Sequence, residues 1–130
     1  MVVALGAYVT ANVMNLWSTF LWYDEAMHAF TAFALTIFLG AYLYRTVLIG
    51  AQTHVVLLVL SLAGLGLAAG ALWEVYEWIR DLMFPEENLV VGKFDTMIDL
   101  IFDTLGALLG ATATAAFFRR HPQPRHLRAH

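Results

Sequence analysis

The sequence predicts an all-α polytopic membrane protein, a bundle of four transmembrane helices, and three observations carry that expectation. Apolar residues make up 61% of the chain and charged residues only 13%, with a mean hydropathy of +0.70, a balance that ordinary soluble domains do not keep. The apolar residues run in long stretches, and the chain length allows roughly four spans of about 20 residues each. The polar residues that interrupt those stretches recur three or four apart, the spacing of a helix face.

The first span covers residues 2–21. Tyr8, Asn12, Asn15, Thr19 and Trp22 share one of its faces, and the two asparagines suit interhelical hydrogen bonds worth about 1 kcal/mol in a membrane. No basic segment or cleavage site marks it as a signal peptide, so it reads as a retained span. The turn at residues 22–25 is short, which makes the first two spans antiparallel neighbours. Trp22 and Tyr23 suit the interfacial belt, and Asp24 suits the cap of the second span, residues 26–49. After a short link at residues 50–54 comes the third span, residues 55–79. The longest connection, residues 80–94, contains Pro85 and Gly92, and the stretch Asp81–Asp95 is mostly acidic. The fourth span covers residues 96–118. One transmembrane domain, residues 1–118, is therefore expected, followed by a basic, disordered tail at residues 119–130.

Orientation follows from the cationic residues. Arg45, Arg119, Arg120, Arg125 and Arg128 lie on one side of the four spans, and Arg80 and Lys93 on the other. The positive-inside rule places both termini in the cytoplasm and the acidic loop outside. Without a basic domain surface, nucleic acid is not an expected partner. The chain has no cysteine, which excludes disulfides, thiolate metal sites and a cysteine nucleophile.

The polar residues inside the spans converge on one end. On the third span Gly66, Gly70, Glu74 and Glu77 fall on one narrow face; on the fourth, Asp95, Asp99, Asp103, Gly106 and Gly110 do the same. The second span opens with Asp24 and His28, four residues apart. Counted at about 1.5 Å per residue, His28, Glu77 and Asp99 lie roughly one turn inside the outer boundary, and Glu74 and Asp103 about one turn deeper. Carboxylates at membrane depth are costly and face an interior, a partner or water. So many cannot all stay charged together; protons or a cation must neutralise them. The expectation is a divalent cation held by His28, Glu74, Glu77, Asp99 and Asp103, with Asp24 and Asp95 as outer residues or helix caps. Oxygen and imidazole ligands without sulfur suit zinc, manganese or iron, and calcium if His28 stays outside the ligand set.

Each residue also has a plainer reading. Asp24 and Asp95 can cap helices, Glu77 can pair with Arg80 or Lys93, and His28 can be an interfacial hydrogen-bonding residue. Glu74 and Asp103 resist such readings, because they lie too deep for water and no basic residue shares their level. Trp73, Tyr76 and Trp78 read as belt aromatics. His54, His121, His126 and His130 lie toward the other side and read as solvated.

Tyr23-Asp24-x-x-x-His28, Glu74-x-x-Glu77-Trp78, Asp95-x-x-x-Asp99 and Gly106-Ala107 resemble the YjdF-type family of small bacterial inner-membrane proteins over about residues 22–111. The second half is also similar to the broader VanZ-like group, whose Asp-x-x-x-Asn-x-x-Gly-Ala pattern would fall on Asp99, Asp103, Gly106 and Ala107. Asp103 is an acid where that group has an amide, and Phe94 stands where the YjdF-type family has tryptophan. The resemblance implies a four-helix core, the site, and the bacterial cytoplasmic membrane; it implies no reaction.

Two functions follow from these residues. One is a metal-binding membrane protein, with or without an enzymatic action on a lipid headgroup or envelope substrate. Ser18 and Ser61 lie outside the cluster, so any catalysis there would be metal-assisted or acid–base. The alternative is a non-catalytic accessory or assembly subunit, whose partners would be lipids and other membrane subunits. Proton or cation translocation is disfavoured, since no charged chain continues inward from Asp103.

Overall fold

The computed structural model describes residues 22–46, 54–86 and 92–121, and among these every regular element is a helix. Helix α1 is Tyr23–Thr46, α2 is Val55–Met83 and α3 is Lys93–Arg120, of 24, 29 and 28 residues. At 1.5 Å per residue each runs about 36–43 Å, enough to cross a hydrocarbon core of about 30 Å. All three are long and apolar enough to span a membrane. The expected first span, residues 2–21, lies outside the described residues, as do residues 122–130 of the expected tail.

The helices overrun the apolar stretches that announced them, for local reasons. Tyr23 already opens α1, because the Trp22 carbonyl accepts the Ala26 N–H at 3.2 Å. Asp24 is thus a first-turn residue rather than a cap. Arg80 and Asp81 carry α2 one turn past Ile79 until the Phe84 N–H closes on the Arg80 carbonyl at 2.8 Å. Pro85 then stops it: proline offers no N–H and holds the preceding residue extended. Gly92, at φ 128° and ψ 174°, occupies a backbone region that is essentially reserved for glycine. It turns the chain into α3 three residues before the expected start, which places Asp95 in the first turn; Gly92 is the cap, and no side chain caps this end. At its other end α3 continues through Arg119 and Arg120.

Helix α3 is the element on which the bundle is built. It packs extensively on both α1 and α2, which touch each other least. Its buried residues are Asp99, Asp103, Gly106, Ala107, Gly110, Ala111, Thr114, Ala115 and Phe118, one stripe in which each residue has another three or four positions away. Most are small, which is how membrane helices gain contact when lipid is as apolar as any side chain. A β-carbon on Gly106 would run into the Ala29 carbonyl, and one on Gly110 would lie 2.7 Å from the Phe33 carbonyl. The α1 and α3 backbones touch there. Helix α2 docks by the same device: Gly66 leaves room for the Thr36 hydroxyl and for Ala107.

The interior changes character along its length. Toward the start of α2 and the end of α3 it is apolar, with Leu58, Leu62, Ala63, Ala111 and Ala115 forming a core against which Leu43, Val55 and Val59 pack. At the other end it is lined with ionisable groups. Large apolar side chains such as Leu57, Leu60, Leu72, Ile101 and Leu109 point outward, the arrangement expected when the solvent is lipid.

Candidate metal centre

The centre is built at the end of the bundle where α1 begins, α2 ends and α3 begins. Each helix contributes through helical spacing: Asp24 and His28 on α1, Gly70 and Glu74 on α2, Asp99 and Asp103 on α3, each pair four residues apart. His28, Glu74, Asp99 and Asp103 are 8%, 7%, 3% and 2% exposed. The Asp24 side chain, at 46% exposed, marks the mouth. Four ionisable groups buried to this extent exceed anything that packing requires.

His28 is the hub. Its Nδ1 lies 3.3 Å from Asp103 Oδ1, a hydrogen-bonding distance. Its Nε2 faces three carboxylate oxygens from all three helices: Glu74 Oε1 at 3.8 Å, Asp99 Oδ1 at 3.9 Å and Asp24 Oδ1 at 4.0 Å. The ligand-type atoms form two groups that share this imidazole. Asp24, His28 and Asp99 bring such atoms within 4.8 Å of one another, and so do His28, Glu74 and Asp103. Glu74 Oε1 and Asp103 Oδ2 are buried with no hydrogen-bond partner among the described residues.

The three longer distances carry chemical meaning. An N–H···O hydrogen bond favours about 2.7–3.2 Å and is lost by about 3.6 Å, so a proton on Nε2 would reach none of these oxygens well. Two ligands of one cation, each about 2.0–2.6 Å from it, lie roughly 3–4 Å apart. The Nε2-to-oxygen spacing is of that second kind. A neutral imidazole also needs something positive here, because its lone pair would otherwise face carboxylate oxygens directly.

Of the residues expected at the site, the structure gathers His28, Glu74, Asp99 and Asp103. Glu77 lies outside both groups of ligand atoms: its Oε1 accepts a hydrogen bond from Trp73 Nε1 at 2.8 Å on the outer flank of α2. Asp95 also lies outside both groups. Asp24, expected as an outer residue or cap, reaches the imidazole. The signal was its spacing to His28, and the first-turn position of Asp24 lets that spacing act. Gly70, expected only as a packing residue, abuts the site itself: a β-carbon there would collide with the Asp103 carboxylate. His54 is exposed at the opposite end of α2.

The chain belongs to the family of predicted membrane proteins designated DUF2238, which it matches over residues 1–120. An uncharacterized protein of Thermotoga maritima is 32% identical over 98 residues, which are 75% of this chain and 50% of that protein. The chain thus spans about half the length of the curated relative it matches. The family fits the YjdF-type resemblance loosely; the VanZ-like likeness of the second half stays a resemblance. No solved structure matches.

Proposed function

We propose that this member of the DUF2238 family is an integral membrane protein that binds one divalent cation at the polar end of its helix bundle. His28, Asp24, Glu74 and Asp99 would hold it, with Asp103 beside them. The observation that carries the reading is the spacing of Glu74 Oε1, Asp99 Oδ1 and Asp24 Oδ1 around His28 Nε2, 3.8–4.0 Å in each case. It is too wide for hydrogen bonds and suited to ligands that share an ion. The buried, unpartnered Oε1 of Glu74 supports it, since such an atom is costly unless something satisfies it. A set of carboxylates with one imidazole suits zinc, manganese or iron; calcium, which prefers oxygens alone, fits less well with His28 at the centre.

In this reading residues 2–21 supply a fourth span, on the strength of their apolar composition. The arginines of the C-terminal end put both termini in the cytoplasm and the metal centre at the outer face of a bacterial inner membrane. An accessory subunit carrying a structural ion would use the same residues, and a membrane partner co-purifying in stoichiometric amount would select that role. The deciding experiment is elemental analysis of the full chain purified in detergent without chelator. One equivalent of a transition metal or zinc is expected in the wild type and none in Glu74→Ala. A metal-free wild type that also takes up no zinc, manganese or iron on titration would overturn the reading.

A further inference from the structure

Resting on the metal reading above, we propose a division of labour within the site: His28 ligates through Nε2, while Asp103 does not touch the ion but holds the imidazole, and Gly70 makes room for it to do so.

The two ring nitrogens of His28 stand in different surroundings. Nδ1 lies 3.3 Å from Asp103 Oδ1, whereas Nε2 stands 3.8 Å from Glu74 Oε1, 3.9 Å from Asp99 Oδ1 and 4.0 Å from Asp24 Oδ1. An ionised carboxylate can only accept, so the hydrogen bond to Asp103 fixes the proton on Nδ1 and leaves the lone pair on Nε2. That nitrogen is the one from which Glu74, Asp99 and Asp24 each stand 3.8–4.0 Å. Histidine ligands of metals almost always donate their second N–H to a carboxylate, carbonyl or water, which sets the tautomer and the ring plane. Asp103 is placed to be that acceptor.

What places Asp103 is the absence of a side chain on α2. A β-carbon built on Gly70 would overlap Asp103 Oδ2 and Cγ. The carboxylate is therefore seated in a notch in α2, and any side chain at position 70 would push it out of line with Nδ1. The arrangement forms two layers. In the outer one, Glu74 of α2 and Asp99 of α3 face Nε2. One turn deeper, Gly70 and Asp103 on the same two helices set the ring. Asp103 is itself buried, 2% exposed.

The test uses the full chain in nanodiscs, labelled with 15N-histidine and loaded with 113Cd2+; the His28 resonances are assigned by their loss in His28→Gln. Scalar coupling between cadmium and Nε2, with Nδ1 carrying the proton, is expected. Zn2+ titrations then separate the roles. Asp103→Asn, whose amide oxygen can accept the same hydrogen bond, should keep the affinity within about tenfold. Asp103→Ala and Gly70→Ala should weaken it by about 10–100-fold, and Asp99→Ala should lose it. Cadmium coupled to Nδ1, or Asp103→Asn as damaging as Asp99→Ala, would make Asp103 a ligand and overturn the assignment while leaving the metal reading intact. Wild-type protein that takes up neither Cd2+ nor Zn2+ overturns both. Because Asp103→Asn barely changes volume, it decides the matter even if Gly70→Ala fails to fold.

Discussion

His28 Nδ1 and Asp103 Oδ1 meet at 3.3 Å although 75 residues separate them in the chain. The contact requires α1 and α3 to lie backbone against backbone, and Gly106 is where they do so, under the Ala29 carbonyl. One glycine-mediated helix crossing therefore supports both the packing and the site.

That crossing can be tested by adding a single carbon. Gly106→Ala places a methyl group against a backbone carbonyl that cannot rotate away, so overpacking should cost about 1–3 kcal/mol. Gly64 is the control: it lies on the same kind of membrane helix, but a β-carbon there meets nothing within 4 Å among the described residues. Gly64→Ala should be neutral or stabilising by up to about 1 kcal/mol, the usual helix-interior difference. Thermal unfolding in detergent measures both. Equal melting temperatures for the two variants would remove the close α1–α3 approach from the argument.

Much of this arrangement was legible in the spacing of small and acidic residues. Gly66, Gly70 and Glu74 repeat at four, and Asp99, Asp103, Gly106 and Gly110 at four, three and four. A helix can only place such residues on one face, so the inward stripes follow from the spacing alone. The helix ends were less legible. Apolar length marks where lipid ends, whereas Pro85 and Gly92 mark where helical backbone ends, and polar residues fill the gap between. Asp24 was misread for that reason: an acid before an apolar run resembles a cap, yet α1 begins at Tyr23. Glu77 shows the limit of face counting. At 100° per residue it lies about 60° from Glu74, and that offset is enough to hand its carboxylate to Trp73. Which imidazole nitrogen faces which carboxylate had no sequence signal, because ring rotation is set by neighbours from other helices.

Metal removal should weaken the fold. A site present only in the native protein contributes RT ln(1 + [L]/Kd), about 2.7 kcal/mol when free metal is 100 times Kd. A strong chelator should accordingly lower the melting temperature of the full chain, and re-addition of zinc or manganese should restore it. Glu74→Ala should melt at one temperature with or without chelator. His54→Ala, altered at the far end of α2, should keep the wild-type response. Chelator-insensitive wild-type unfolding would separate the cluster from any ion it was thought to hold.

Orientation is read by thiol labelling, which the absence of native cysteine makes clean. Asn88→Cys, in the acidic connection, should react with a membrane-impermeant maleimide added to intact cells. Gln123→Cys, among the C-terminal arginines, should react only after the cells are opened. The opposite pattern would turn the candidate centre toward the cytoplasm and change which substrates or ions could reach it.

The sharpest comparison is between Asp24, expected as an outer residue or cap, and Glu77, expected as a ligand. Asp24 Oδ1 lies 4.0 Å from His28 Nε2, whereas Glu77 is engaged by the Trp73 indole outside the cluster. Asp24 is partly open to solvent, so its loss removes one ligand without unpairing a buried charge, and the fold should survive. Asp24→Asn should weaken zinc binding by at least tenfold, the change of an anionic ligand to a neutral one. Glu77→Gln keeps an amide oxygen for the Trp73 N–H and should leave zinc affinity unchanged within a factor of about two or three. Isothermal titration of the two variants beside wild type in the same detergent gives the comparison directly. If Glu77→Gln loses the metal and Asp24→Asn keeps it, the ligand set moves one turn along α2, and Asp24 returns to the role of an acid favoured at a helix N-terminus.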